Sequence, residues 1–209
     1  MSPLIVGIAG GSGSGKTTLA TALVAGLPMG QAVILPADAY YRDLSHLPEE
    51  ARARTNFDEP VALDGERLRE DLIRLRQGQA VQRPVYDFVT HTRQPECETV
   101  SPSPVVLVEG ILVLALPELD GLFDLTVFVD ASEAVRLKRR IARDVGQRGR
   151  SRASVLAQFA AHTRPMHDRF VQPSHARAVL VVSGEDAPAL TVARVREAIL
   201  RRSSSTHQA

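Results

Sequence analysis

The octet Gly10-Gly11-Ser12-Gly13-Ser14-Gly15-Lys16-Thr17 restricts what this chain can fold into more than any other feature. It fits the pattern G-x-x-x-x-G-K-[ST]. Before it lies an apolar run, residues 4–9. After it, residues 16–27 carry Leu19, Leu23 and Leu27 at helical spacing, and Pro28 and Gly30 close the segment. A buried strand, a glycine-rich turn and a helix in that order allow main-chain N–H groups to converge on phosphate oxygens. The helix N-terminus adds the positive end of its dipole. Lys16 is then placed to bridge the β- and γ-phosphates of a nucleoside triphosphate, and Thr17 to offer its hydroxyl to Mg²⁺. Thr18 completes the expected triphosphate site. With glycine near ~7% of average sequence, a chance match in a chain of this length is on the order of one in a hundred.

The remaining apolar segments alternate in kind. Residues 32–35 are a second short run closed by Pro36. Residues 63–77 read as a helix, with Asp64 as N-cap, Leu68, Leu72 and Leu75 as its stripe and Gly78 just past its end. Residues 81–89 and 98–100 read as a hairpin with a polar connection around 91–96. The β-branched run 105–108 reads as a central strand, and 125–129 as another. Residues 133–145 form a helix whose apolar side is Leu137, Ile141 and Val145. A last strand is expected at 178–182 and a last helix at 191–200. Strands alternating with helices predict an α/β fold, a parallel sheet of about five strands covered on both faces, with the hairpin inserted outside it. The 209 residues, 44% hydrophobic and 23% charged, support one core. One domain is expected over 1–202, followed by a frayed polar tail at 203–209.

Charge narrows the classes. The 25 basic and 24 acidic residues nearly cancel, which argues against a general nucleic-acid binder. Yet basic residues crowd between Arg136 and Arg152, as an anionic ligand site or a solvated helix face requires. Cys97 is the single cysteine; it forms no intrachain disulfide and reads as an incidental thiol. No apolar run is long enough to cross a membrane, and residues 1–7 lack the pattern of a signal peptide. A cytoplasmic protein is expected.

A triphosphate site of this kind takes a second metal group from the end of a neighbouring strand. Val105-Val106-Leu107-Val108-Glu109-Gly110 supplies one. Asp is the usual residue, and the longer carboxylate of Glu109 reaches Mg²⁺ directly or through its water shell. A fully apolar strand delivers Glu109 to the carboxyl edge of the sheet, where ligands bind in open α/β folds.

The blocks Asp38-Ala39-Tyr40-Tyr41-Arg42-Asp43, Asn56-Phe57-Asp58-Glu59-Pro60, Pro84-Val85-Tyr86-Asp87-Phe88 with His91 and Arg93, Glu109-Gly110-Ile111-Leu112, and Arg139-Arg140-Ile141 through Arg143-Asp144 to Arg148-Gly149-Arg150 follow in series. In that order they resemble the uridine–cytidine kinase family, from about Ile5 to about Pro173. The resemblance implies transfer of a phosphoryl group from ATP, or GTP, with Mg²⁺, to the 5′-hydroxyl of a pyrimidine ribonucleoside. It implies Asp38 as the base, with Lys16 and Arg143 as the other catalytic groups. It implies Asp58 as the ribose ligand and Phe57, Tyr86 and Phe88 as a wall for the base. Tyr41 is a further nucleoside-binding position. His91 with Tyr86 reads the base edge; a neutral imidazole carries one donor and one acceptor nitrogen and so suits uracil or cytosine. Arg140, Arg143 and Arg150 line the site within a lid over about 140–165, and Gln158 matches a nucleoside-contacting glutamine. Lys138, Arg139 and Arg152 are left to the solvated face. The family's members are often tetramers. Ala39, Glu59 and residues 174–177 depart from the family pattern.

Two other readings stay in view. A phosphoribulokinase-like enzyme calls for anion-binding side chains where this chain has Tyr86 and Phe88. A non-catalytic nucleotide switch has no use for Asp38, and the guanine-reading Asn-Lys-x-Asp motif is absent.

Overall fold

The computed structural model describes residues 2–205. Its centre is a five-stranded parallel sheet in the order β2-β5-β1-β6-β7. The strands are β1 (Leu4–Ala9), β2 (Ala32–Pro36), β5 (Val105–Glu109), β6 (Leu125–Asp130) and β7 (Leu180–Ser183). β3 (Val81–Asp87) and β4 (Thr92–Val100) pair antiparallel in a separate two-stranded sheet, as expected of an insert. The hairpin differs in detail. Its connection is the short segment 88–91, and β4 begins at Thr92, because polar residues 92–99 pair as an exposed strand.

The helices are α1 (Lys16–Ala25), α2 (Glu49–Ala53), α3 (Gly65–Arg76), α4 (Glu133–Gln147), α5 (Arg152–Gln158), the single turns α6 (Arg164–Met166) and α7 (Gln172–Ser174), and α8 (Pro188–Ser205). Two π turns, Phe159–Thr163 and His167–Val171, join α5, α6 and α7 into one continuous helical rod. α8 outruns its expected span at both ends and takes in residues 203–205; residues 206–209 lie outside the described part. Among the described residues no helix is long and apolar enough to cross a membrane.

Period-two alternation divides the sheet's side chains between two cores. Ile5, Val106, Val108 and Phe128 join Leu68, Leu72 and Leu75 of α3 on one face. Val6, Ile8, Leu107 and Val127 join Leu19 and Leu23 of α1 and Val195 and Ile199 of α8 on the other. Leu72 is fully buried, and truncation to Ala at such a site costs about 2–5 kcal/mol. The Asp64 carboxylate accepts from Arg67 N, capping α3, and Gly78 beyond its end has φ +77°. The free N–H groups of the helix start and the left-handed exit are thus both met by the residues expected there.

Register brings the functional edge together. Glu109 lies level with Ile8 of β1 and Pro36 of β2. The carboxyl ends of β1, β2 and β5 therefore release the glycine loop, the Asp38 turn and Glu109 side by side. The Asp38 turn is tied down twice: Tyr40 Oη donates to Asp71 of α3 at 2.7 Å, and Arg93 of β4 donates to the carbonyls of Tyr40 and Tyr41 at 3.1 and 2.8 Å.

Candidate active site

The loop between β1 and α1 is bent by Gly10, Gly13 and Gly15, with φ of +144°, +82° and +108°. Space as well as φ requires glycine at the first two. A Cβ on Gly10 would sit 2.3 Å from Val129 O, and one on Gly13 2.4 Å from Arg136 O. Inside the loop, buried Lys16 donates to the Gly11 carbonyl at 3.1 Å. Burial lowers its pKa, while Glu109 and Asp38 oppose the shift. The Ser14 hydroxyl is buried and has no hydrogen-bond partner among the described residues.

Thr17 Oγ1 donates to Glu109 Oε1 at 3.1 Å. Burial raises the Glu109 pKa, and Lys16 opposes the shift. A hydroxyl and a carboxylate at this separation, both hard oxygen donors, fit Mg²⁺ held mainly by phosphate and water. Among the described residues there is no group of three His, Cys, Asp or Glu side chains able to hold a metal. Asp38 faces the same space. Burial raises its pKa, and Lys16, Arg148 and Arg143 pull it back.

One cavity joins these groups to the rest of the expected site. Ser12, Lys16, Thr17 and Glu109 line one end with Asp38. Tyr41, Phe57, Asp58, Tyr86, Phe88 and His91 line the other, and Arg140, Arg143, Arg150 and Gln158 cover it. Arg148, Gly110 and Ile111 also line it, without having been singled out as site residues. Thr18 lies elsewhere: with Gly15, Arg139 and residues 183–188 it lines a second cleft on the far side of the loop. There Gly184 packs so closely that a Cβ would meet Ser14 O at 2.0 Å.

The aromatic residues named in the sequence gather in the cavity. Phe57 stacks on His91 with ring centroids 4.7 Å apart, and meets Tyr41 edge-on at 5.3 Å. Tyr86 contacts Tyr41 and Phe88, and the Arg148 guanidinium lies 4.9 Å from the Phe88 ring centre. The rings form one contiguous cluster, mostly edge-on or tilted, with the Phe57–His91 pair stacked. His91 has φ +57°, and its pKa is lowered by burial and then by Arg150, which favours the neutral ring. His91 Nδ1 and Tyr86 Oη are buried without a hydrogen-bond partner among the described residues.

Asp58 is buried, and its Oδ2 accepts from Thr163 Oγ1 at 2.9 Å. Thr163 closes the first π turn. It was invisible to sequence reasoning, because a threonine in a helical run carries no motif; a helix widened by an extra residue is often a functional position. Gln158 Oε1 accepts from Arg140 at 2.9 Å and from Arg150 at 2.6 Å. Gln158, expected as a nucleoside-contacting residue, thus braces two arginines through its oxygen.

α4 corrects another expectation. Its buried stripe is Arg136, Arg140 and Asp144, while Leu137 and Ile141 are half-buried and Val145 is exposed. An arginine-rich helix offers two stripes of helical period, and only tertiary packing selects between them. Arg139, Lys138 and Arg152 are exposed as expected, yet Arg139 also reaches the Ser14 carbonyl at 3.3 Å. Glu59, one of the departures, accepts from Asn56 Nδ2 at 2.9 Å and so braces its own loop.

A glycine cradle at the end of β1, carboxylates from the turn after β2 and the end of β5, and an arginine-bearing helix beside the cavity define a P-loop kinase. Residues 5–188 match the model of the Phosphoribulokinase / Uridine kinase family, and the chain belongs to that family. It is 44% identical over 201 residues to a uridine kinase of Chloroflexus aggregans, covering 94% of this chain and 96% of that one. A uridine kinase of Alkaliphilus metalliredigens is 40% identical over 205 residues, covering 96% and 99%. Among solved structures, a putative fructose transport system kinase from Silicibacter sp. superposes with a TM-score of 0.69 at 22% identity, covering 87% of this chain and 90% of that one. A possible uridine kinase from Bacillus stearothermophilus gives 0.60 at 22% identity, covering 87% and 89%. These two share the fold.

Proposed function

We propose that this kinase transfers the γ-phosphoryl group of ATP to the 5′-hydroxyl of uridine or cytidine, giving UMP or CMP and ADP. The observation that carries the acceptor assignment is the pair of buried unpartnered atoms, Tyr86 Oη and His91 Nδ1, in the same cavity as Asp58, Asp38 and Lys16. Buried polar atoms are hydrogen-bonded as a rule. One donor-acceptor hydroxyl and one ring nitrogen beside an aromatic cluster match the edge of a pyrimidine. Asp58, already oriented by Thr163, accepts from the ribose 2′- and 3′-hydroxyls.

The sugar then lies between Asp58 and the glycine loop. The 5′-oxygen bonds to the γ-phosphorus, the bond from that phosphorus to the ADP oxygen breaks, and Asp38 takes the 5′-proton. An alcohol is a poor acid, but the transition state is loose and the proton leaves late. Thr17 and Glu109 would hold Mg²⁺, which when bound would supply positive charge to offset that of the triphosphate. Lys16 and Arg143 add positive charge along the same line. Arg140 and Arg150 close over the cavity and exclude water, which protects ATP from hydrolysis. The cleft beyond Thr18 takes the donor's base, with GTP as an alternative to ATP. Reclaiming free pyrimidine nucleosides in the cytoplasm, in a tetramer of the kind the family resemblance implies, completes the proposal.

Four arginines beside the cavity also suit a phosphorylated sugar, so the deciding assay is an acceptor panel with ATP and Mg²⁺. Uridine and cytidine are expected to be consumed, with 2′-deoxyuridine much slower. Turnover of a pentose phosphate with none of uridine would overturn the assignment.

A further inference from the structure

Asp144 has no part in the chemistry above, yet it sits at the centre of the arginine cover. Its side chain is fully buried. Arg143 Nε donates to its Oδ1 at 2.8 Å; Arg140 Nε, Arg148 NH1 and Arg150 NH1 each lie 3.6 Å from one of its oxygens. Its main-chain carbonyl accepts from both Arg148 N and Arg150 N at 3.2 Å. That turn, with left-handed Gly149, folds the chain back so that Arg148 and Arg150 face Arg140 and Arg143. One residue thus sets both the backbone and the charge of the cluster.

Four buried or half-buried guanidiniums repel one another unless an anion lies among them. Asp38 and Asp58 face them across the cavity, and Asp38 is felt by Arg143 and Arg148 and Asp58 by Arg140. Asp144 is the carboxylate in contact. Of its four ion pairs only that with Arg143 has hydrogen-bond geometry; Asp144 Oδ2 and Arg140 Nε have no hydrogen-bond partner among the described residues. Asp144 holds the other three by charge, while Gln158 Oε1 accepts from Arg140 and Arg150. Arg140 and Arg143 also reach Ser12 Oγ in the phosphate loop, at 3.0 and 3.5 Å.

We propose that Asp144 is the positioning residue of this arginine cluster. It keeps the guanidiniums gathered beside the phosphate loop before substrate arrives, and shares them with the transferring phosphoryl group once it does. It touches no substrate and acts through Arg140, Arg143, Arg148 and Arg150.

The test compares the parent with Asp144→Asn, nearly isosteric and uncharged. The first readout needs no acceptor: the rise in melting temperature on adding Mg-ATP. Triphosphate supplies the anion the variant lacks, so the ATP-induced rise is expected to be larger in D144N than in the parent. A purely structural role would lower both melting temperatures together and leave the increment unchanged, which would overturn the proposal. The second readout rests on the acceptor reading above. With uridine, kcat is expected to fall about 100-fold, as for a displaced catalytic group. The KM for ATP should not rise, because the face presented to phosphate has gained positive charge. A kcat within threefold of the parent would count decisively against Asp144. Should the parent leave uridine untouched, the acceptor assignment fails and the melting increments still decide the role of Asp144. If D144N does not fold even with Mg-ATP, Asp144→Glu retains the charge and displaces it by one methylene. It is expected to lose about tenfold in kcat, and parental kcat in D144E would overturn the proposal.

Discussion

The two ends of the cavity are built on opposite plans. At the phosphate end, eight consecutive residues form the cradle, the binding groups are largely main-chain amides, and three glycines with positive φ hold the curve. At the other end, where the acceptor is proposed to bind, the groups are side chains from separate segments: the turn after β2, the loop before α3, the hairpin, α4 and the π turns. Asp58 and Thr163 meet there although 105 positions separate them in the chain. A main-chain cradle has few ways to vary and reads any triphosphate alike. A side-chain pocket sets what the acceptor is, and each of its members can change alone.

The sharpest way to break this comparison is to damage each end and see which substrate suffers. Lys16→Ala removes the side-chain cation that the octet itself supplies, next to Gly11 O. Loss of one well-placed charge stabiliser costs about 10²–10³-fold in kcat, and a charged group inside a buried loop belongs at the upper end. We expect kcat to fall at least ~10³-fold with nucleoside binding, measured by calorimetry, unchanged. Parental turnover in Lys16→Ala would show that the cradle does not act on the transferred phosphate.

Asp38 stands where the two ends meet, and its replacement should divide them. Asp38→Asn is expected to leave Mg-ATP binding intact and lower kcat about 100-fold, within the range of a positioned base. Burial raises the pKa of this carboxyl above the ordinary aspartate value. A base acts only when deprotonated, so kcat/KM should fall as pH drops through that raised value. The acidic limb of the profile must therefore lie above the pH at which an exposed aspartate titrates. In Asp38→Asn this limb should vanish. A profile with the same acidic limb in both enzymes would assign it to another group, with Glu109 the first candidate since burial raises it too.

The same contrast explains what could be read from sequence. The sheet, the inserted hairpin, the Asp64 cap and the phosphate loop rest on local rules: period-two alternation, a capping carboxylate, glycines in a fixed pattern. Each needs only neighbours in the chain. The side chains proposed to meet the acceptor were named by resemblance, and the fold brings them to one cavity. Phe57, Tyr86 and Phe88 do gather, but as a cluster with Tyr41 and His91, since ring-on-ring packing is settled by tertiary contact. The inward face of α4 was misread because Arg136, Arg140 and Asp144 share helical spacing with the parallel stripe Leu137, Ile141 and Val145. Burial of Arg140 and Asp144 draws on partners from Ser12, Gln158 and the turn at Gly149, while Arg136 Nε donates to the Ala131 carbonyl. No local rule foretells that.

Thr163 gives the smallest expected effect and the finest test of the side-chain plan. Its hydroxyl is buried and donates to one oxygen of Asp58. A carboxylate free to turn about its last bond presents its oxygens to a vicinal diol only part of the time; a donor on Oδ2 fixes the plane. Thr163→Val keeps the shape and deletes the donor. A hydrogen bond to a charged group is worth about 1.5–3 kcal/mol, part of which is recovered by water or by the ligand itself. We therefore expect kcat/KM for uridine to fall about tenfold, equivalent to about 1.4 kcal/mol. 2′-Deoxyuridine offers Asp58 one hydroxyl instead of two and needs its orientation less, so its kcat/KM should fall by a smaller factor and the preference for ribose should shrink. Thr163→Ser restores the donor and should restore the preference. If the ratio of uridine to 2′-deoxyuridine stays at the parental value in Thr163→Val, the π turn supports Asp58 by packing alone, and the ribose reading must rest on other groups such as Arg140.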